Sequence, residues 1–149
     1  MSRLRRRDLV GLAAAGMVGR PAAAAPDGLA AAMAEFSRGA VLRSGRVTLD
    51  IVSLVDNGNT VPMTVRVDSP MTAADHVVEI AVFNERNPQR DVARFTLGPR
   101  SGLASVATRI RLATSQKLVA LARLSDGSCW SHTVEVVVTL ASCIEGEGP

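Results

Sequence analysis

From Val47 onward the chain alternates between apolar and polar positions. Val47, Leu49 and Ile51 are spaced by Thr48 and Asp50; Val61, Met63, Val65 and Val67 enclose Thr64 and Arg66; Val78, Ile80 and Val82 enclose Glu79 and Ala81. A period of two is what a strand needs when one face is buried and the other is wet. Strand-like runs continue at Val92 to Leu97, Leu103 to Leu112, Lys117 to Leu124 and Trp130 to Leu140. Turn residues separate them: Asn57-Gly58, Asp68-Ser69-Pro70, Asn84 to Gln89 with Pro88, Gly98-Pro99 and Asp126-Gly127; each supplies a backbone conformation that breaks a strand. About seven short strands joined by tight turns predict an all-β, antiparallel β-sandwich. Only Gly28 to Gly39 follows another period, with Leu29, Ala32, Met33 and Phe36 at helical spacing. It predicts one short N-terminal helix, stopped at Gly39 because glycine takes the left-handed conformation of a helix end.

The last run directs attention to the C-terminus. Trp130, His132, Val134, Val136, Val138 and Leu140 share the face expected to be buried, and Cys129, Ser131, Thr133, Glu135, Val137 and Thr139 share the other. Beyond Leu140, the stretch Ala141-Ser142-Cys143-Ile144-Glu145-Gly146-Glu147-Gly148-Pro149 is too short for a further element and too polar to bury itself. It is expected to be a mobile C-terminal arm that presents the Cys143 thiol, since reactivity needs an accessible thiolate. The only other cysteine, Cys129, lies before the strand. An uninterrupted strand of this length holds the two thiols roughly 35 Å apart, whereas a disulfide tolerates a Cα separation of only about 4.4 to 6.8 Å. The strand prediction and a Cys129–Cys143 bridge therefore exclude one another. Cys129 is expected at the mouth of the strand, as a small half-buried residue or as a secondary thiol open to an intermolecular disulfide.

The N-terminus bears on the compartment. Arg5-Arg6-Arg7-Asp8-Leu9-Val10 is followed by an apolar run, Gly11 to Gly19, and by the small residues Ala22 to Ala25. A charged head, a modest apolar middle and a small-residue exit predict an export signal over residues 1–25, and the paired arginines favour the twin-arginine route to the periplasm. The apolar run is well short of the ~20 residues of a spanning helix. Residues 26–140 would then form the sandwich and 141–149 the arm. Charge follows the same division. The 17 basic and 14 acidic residues give a net charge of +3, but five basic residues and one acidic residue lie in the first 25, leaving 12 against 13, a net of −1. Nothing in that remainder suggests a nucleic-acid or membrane-surface binder.

Few residues can carry chemistry. A metal site needs clustered ligands, and the chain offers only His76, His132, Cys129 and Cys143 besides carboxylates. Cys129-x-x-His132 resembles part of a blue-copper ligand loop, but residues three apart on a strand point to opposite faces and no methionine follows Met71 as an axial ligand. No Gly-x-Ser-x-Gly elbow and no phosphate loop is present. Glu145 and Glu147 lie on the arm, where no fixed separation suits a glycosidase. Cys143 as an enzyme nucleophile would need a base in reach, and the arm has none. The residues call for no metal and no cofactor, and describe a carrier more readily than an enzyme.

Three stretches carry a family resemblance: Asn57 to Thr72 (NGNTVPMTVRVDSPMT), Thr108 to Trp130 (TRIRLATSQKLVALARLSDGSCW) and the closing strand with its cysteine. They resemble SoxY, the sulfur-carrier subunit of the Sox thiosulfate-oxidation system. The resemblance implies an immunoglobulin-like sandwich, twin-arginine export, and a heterodimer with a smaller SoxZ-like β-sandwich subunit. It also implies a C-terminal cysteine, matched by Cys143, that covalently holds a sulfur-containing intermediate while separate enzymes load and oxidise it. The arm departs from the usual Gly-Gly-Cys-Gly-Gly ending: Ala141 and Ser142 precede the cysteine and Ile144 and Glu145 follow it, as in the related group with an Ala-Ala-Cys-Ile-Glu type arm. Such an arm is stiffer and bulkier, and its carboxylates disfavour a neighbouring thiolate. A related pathway with its own partners is expected. The rival reading is a non-catalytic exported binding module that docks a redox partner through a sheet edge, with Cys143 incidental.

Overall fold

A computed structural model describes residues 28–139. The predicted signal segment and Cys143 with its neighbours Ala141, Ser142, Ile144 and Glu145 lie outside the described residues.

Each long alternating run forms a strand. Helix α1 (Gly28–Ser37) is followed by β1 (Leu42–Arg43), β2 (Val47–Ile51), β3 (Leu54–Val55), β4 (Val61–Val67), β5 (Val77–Asn84), β6 (Asp91–Thr96), a 3-10 turn (Pro99–Ser101), β7 (Ser105–Ile110), β8 (Gln116–Leu124) and β9 (Cys129–Val138). The strands make two sheets. The larger runs β1-β9-β8-β5-β6, with β3 also pairing β9; the smaller runs β2-β4-β7. Between them lies the main core, which includes Leu49, Val65, Ile80, Val82, Leu118 and Val136. The sandwich expected from periodicity is the observed architecture, and its long pairings are antiparallel.

Two short pairings escaped the periodicity. β1 and β3 run parallel to β9, through Leu42↔Cys129 and Leu54↔Val137. Two residues are too few to show a period. Between them β2 crosses to the smaller sheet, and the Leu49 N–H donates to His132 Nδ1 at 2.9 Å, so a histidine side chain ties β9 to β2 across the gap. β9 is consequently covered at both ends of its outer edge, which blunts the tendency of a bare edge to pair with another chain.

The larger sheet is also buried on its outer face. α1 lies there, and Phe36 packs with Ala81, Phe83, Val119 and Leu121 in a second, smaller core joined by Leu29, Ala32 and Met33. Phe36 meets Phe83 edge to face, with ring centroids 6.0 Å apart. β5 therefore buries both sets of its side chains. The helix docks through charge as well. Arg123 donates to the Phe36 carbonyl at 3.3 Å and pairs with Glu79, which also binds Arg94 at 3.1 Å. The guanidinium groups of Arg94 and Arg123 lie 5.8 and 5.4 Å from the Phe36 ring, distances suited to cation–π attraction. The helix ends at Ser37, two residues before the predicted stop at Gly39: both Arg38 (φ 52) and Gly39 (φ 84) are left-handed.

Candidate functional site

The site is built around the two ends of β9, because one cysteine opens this strand and the arm carrying the other follows it. At the opening end, Asp126 and Gly127 (φ 81) make the turn from β8. Asp126 Oδ1 accepts from the Ser128 N–H at 2.9 Å and from its hydroxyl at 2.6 Å, and these bonds, the hydroxyl first, hold the carboxyl below its ordinary value. Ser128 Oγ in turn accepts from Trp130 Nε1 at 3.1 Å. The turn thereby fixes the first residues of the strand.

Cys129 is fully buried at 0% exposure. Its face of the sheet is the one covered by the helix segment, and Sγ lies 3.9 Å from the Ser37 carbonyl and 4.0 Å from that of Gly127. The half-buried position expected from the sequence is thus closed, because α1 supplies a layer that strand periodicity alone does not reveal. Burial pushes the thiol pKa up, against the opposing pull of Arg123 and Arg38. A protonated, enclosed thiol is a poor nucleophile. Cys129 and His132 do not converge either: the sulfur faces the helix side and His132 binds β2. Among the described residues no group of three or more His, Cys, Asp or Glu side chains could hold a metal ion.

The enclosure gives a direct expectation. In a Cys143→Ala variant, a thiol reagent such as Ellman's should find no fast-reacting thiol in the native protein and one in urea; prompt native labelling would show that Cys129 is open. Linkage runs the same way. The folded thiol keeps its proton when the unfolded one loses it, so stability is fully present below the ordinary thiol value of 9.0 and falls as pH rises above it.

At the far end, β9 is held to its last described residue. The Val137 N–H donates to the Ser53 carbonyl at 2.8 Å and the Thr139 N–H to the Val55 carbonyl at 2.9 Å. Between them the Val138 N–H donates to Ser115 Oγ at 2.9 Å, so a side chain takes over where β8 has turned away. The Thr139 hydroxyl reaches Asp56 Oδ1 at 3.2 Å. Three successive N–H groups are satisfied, on alternate sides of the strand. Cys143 thus follows four residues after a fixed point, Thr139.

The loops around that point are braced by buried amides. Asn84 and Gln116 are 0% and 3% exposed. Gln116 Nε2 donates to Asn87 Oδ1 at 2.8 Å and its Oε1 accepts from the Arg86 N–H at 2.8 Å, while Asn84 Oδ1 accepts from the Asn87 N–H at 3.0 Å. Asn87 Nδ2 donates to the Arg111 carbonyl at 2.8 Å. The β5–β6 and β7–β8 loops are thus stitched together beside the end of β9. Ser115, Asn87 and Gln116 could not be singled out from the sequence, where they read as ordinary loop and strand-start polar residues.

Comparison with known proteins supplies the remaining context. By sequence alone no curated protein matches the chain. Among solved structures, the sulfur carrier protein SoxY from Chlorobium limicola f thiosulfatophilum is 25% identical with a TM-score of 0.63, covering 74% of this chain and 94% of that one. A superoxide reductase (neelaredoxin) from Ignicoccus hospitalis is 19% identical (TM-score 0.57, 62% of this chain and 79% of the other), and one from Nanoarchaeum equitans is 13% identical (TM-score 0.55, 64% and 100%). These two speak for the shared sandwich alone. Residues 33–143, from the middle of α1 through β9 to the arm cysteine, match the family described as "Sulfur oxidation protein SoxY", and the chain belongs to that family.

Proposed function

We propose that the protein is an exported carrier that covalently holds a sulfur-containing intermediate on Cys143 and presents it to partner enzymes, with no turnover of its own. The observation that carries this reading is the contrast between the two cysteines: Cys129 is sealed at 0% exposure, and the family match runs as far as residue 143. A thiolate there accepts the cargo by forming a bond to its sulfur, and the partner that loads it takes up the displaced leaving group or electrons. The sandwich supplies a stiff base from which the thiol can travel between such partners. Its working form pairs with a SoxZ-like subunit in the periplasm, reached by the twin-arginine route. The arm, of the Ala-Ala-Cys-Ile-Glu type with Ser142 in place of the second alanine, suits partners other than those that accept an all-glycine arm.

Intact mass spectrometry of the protein drawn from its own periplasm tests this. The carrier reading expects added masses that disappear with a thiol reductant and never form on Cys143→Ala. An unmodified wild-type chain, taken while the host is oxidising sulfur compounds, favours the binding module instead.

A further inference from the structure

A second feature of the arm end has no part in the scaffold. β7 closes with Arg109 and Ile110, and Arg111 follows it; Ile110 is buried and both arginines are exposed, as residues two apart in extended chain should be. They line a cleft of about 430 Å³ whose other walls come from the β5–β6 loop and the start of β6, including Asn84, Asn87, Asp91 and Val92. The two asparagines of those walls and one oxygen of Asp91, Oδ2, are already engaged. Asp91 accepts two hydrogen bonds from Arg94, at 3.0 and 2.7 Å. Asn84 donates to the Gln89 carbonyl at 2.7 Å, and Asn87 is bound at both its oxygen and its nitrogen. The Arg109 and Arg111 guanidinium groups have no acidic partner among the described residues. The cleft thus offers two planar donors without an acidic partner among the described residues, groups suited to a small oxyanion.

The cleft also lies near the end of β9. Gly58 brings the two together: a β-carbon built on it would lie 2.2 Å from the Leu112 carbonyl oxygen and 3.3 Å from Val138 Cγ1. Arg111 is therefore one residue from a carbonyl that shares a crevice with the end of β9, and the four residues from Thr139 to Cys143 span at most about 14 Å.

We propose that Arg109 and Arg111 form a resting seat for the oxyanion end, a sulfonate or thiosulfonate group, of a sulfur compound carried on Cys143. This rests on the carrier reading and adds where the cargo waits. Two exposed arginines bind a free anion weakly, but attachment through so few residues would supply an effective concentration of about millimolar, which would make a millimolar site substantially occupied. The seat would offset the repulsion between the cargo and Glu145 and Glu147, and would release the cargo when a partner offers a stronger cation.

The test has two arms, both read from the backbone amide resonances of Asp91 and Val92. In the first, inorganic thiosulfate is titrated into Cys143→Ala protein; shifts saturating in the millimolar range are expected, weakened at least about tenfold by the double variant R109Q/R111Q, as loss of two charge-assisted contacts implies. In the second, wild-type protein is loaded with tetrathionate. The Cys143 thiolate attacks a central sulfur, one S–S bond forms as another breaks, thiosulfate leaves with the electron pair, and the arm bears –S–SO3−. The same resonances should shift in the loaded protein and return in about 0.5 M salt, where the screening length falls below ~5 Å. No response to thiosulfate at tens of millimolar overturns the seat, whatever the arm carries. Binding of free thiosulfate with an unmoved cleft in the loaded protein overturns it for the cargo. Failure of Cys143 to load counts against the carrier reading, while the first arm still decides whether the cleft takes oxyanions.

Discussion

Gly58→Ala is expected to lower the stability of the protein by about 3 to 5 kcal/mol, a large share of the roughly 5 to 15 kcal/mol by which a domain of this kind is folded. The new methyl carbon would fall 2.2 Å from the Leu112 carbonyl oxygen, a backbone atom that cannot rotate away, with the Leu112 carbonyl carbon and Val138 Cγ1 both at 3.3 Å. Overpacking of this sort costs about 1 to 3 kcal/mol. Relief requires the two loops to part, which also stretches the 2.7 Å hydrogen bond from the Leu112 N–H to the Gly58 carbonyl and risks about 1 to 3 kcal/mol for an unsatisfied donor. Urea denaturation of Gly98→Ala gives the comparison, because nothing lies within 4 Å of a β-carbon at Gly98 and its φ of −149 is ordinary extended backbone; that change should stay within about 0.5 kcal/mol of the wild type. Equal midpoints for the two variants would contradict the packing described. Soluble expression of Gly98→Ala with none of Gly58→Ala would support it.

The second large effect concerns function. On the proposed carrier role, Cys143→Ala should reduce sulfur-compound oxidation by the host to the level of a strain lacking the protein altogether, because a carrier without its attachment atom would have no residual route. Cys129→Ala should retain most of it. That sulfur packs against the Ser37 carbonyl in a closed site, so its removal leaves only a small cavity, with a cost of about 1 to 2 kcal/mol to stability and no chemical consequence. Comparing the two strains with the deletion separates the readings: normal oxidation by Cys143→Ala would favour a docking module, and loss of oxidation by a stably folded Cys129→Ala would place the chemistry on the wrong thiol.

How much of this could be read beforehand follows from what periodicity can carry. The long strands were legible because Val61 to Val67 alternates often enough to define a face, while Lys117 to Leu124 is a mostly apolar run that the fold buries on both faces. The helix was legible from four apolar residues, and its consequence was not: that Leu29, Ala32, Met33 and Phe36 would cover the outer face of the larger sheet and close over Cys129 depends on pairings remote in sequence. β1 and β3 were invisible for the same reason, having two residues each. The side of β9 carrying Trp130, Val134, Val136 and Val138 was correctly assigned to the main core. His132 lies on that side as expected, yet its role in accepting the Leu49 N–H needed coordinates. The clamp at Thr139 and the arginine cleft are products of loops meeting at one end of the sandwich, which no local pattern announces. The arm cysteine, by contrast, was singled out by where the last strand signal stops.

The most direct measurement is the location of the cargo. Wild-type protein is taken from the periplasm of the host during sulfur oxidation, its free thiols are blocked, and its peptides are mapped by mass spectrometry without reduction. The account predicts a reductant-labile mass on the peptide containing Cys143, and an unmodified Cys129 that becomes accessible only after unfolding. A sulfur adduct on Cys129, or a Cys129–Cys143 disulfide as the resting form, would contradict it.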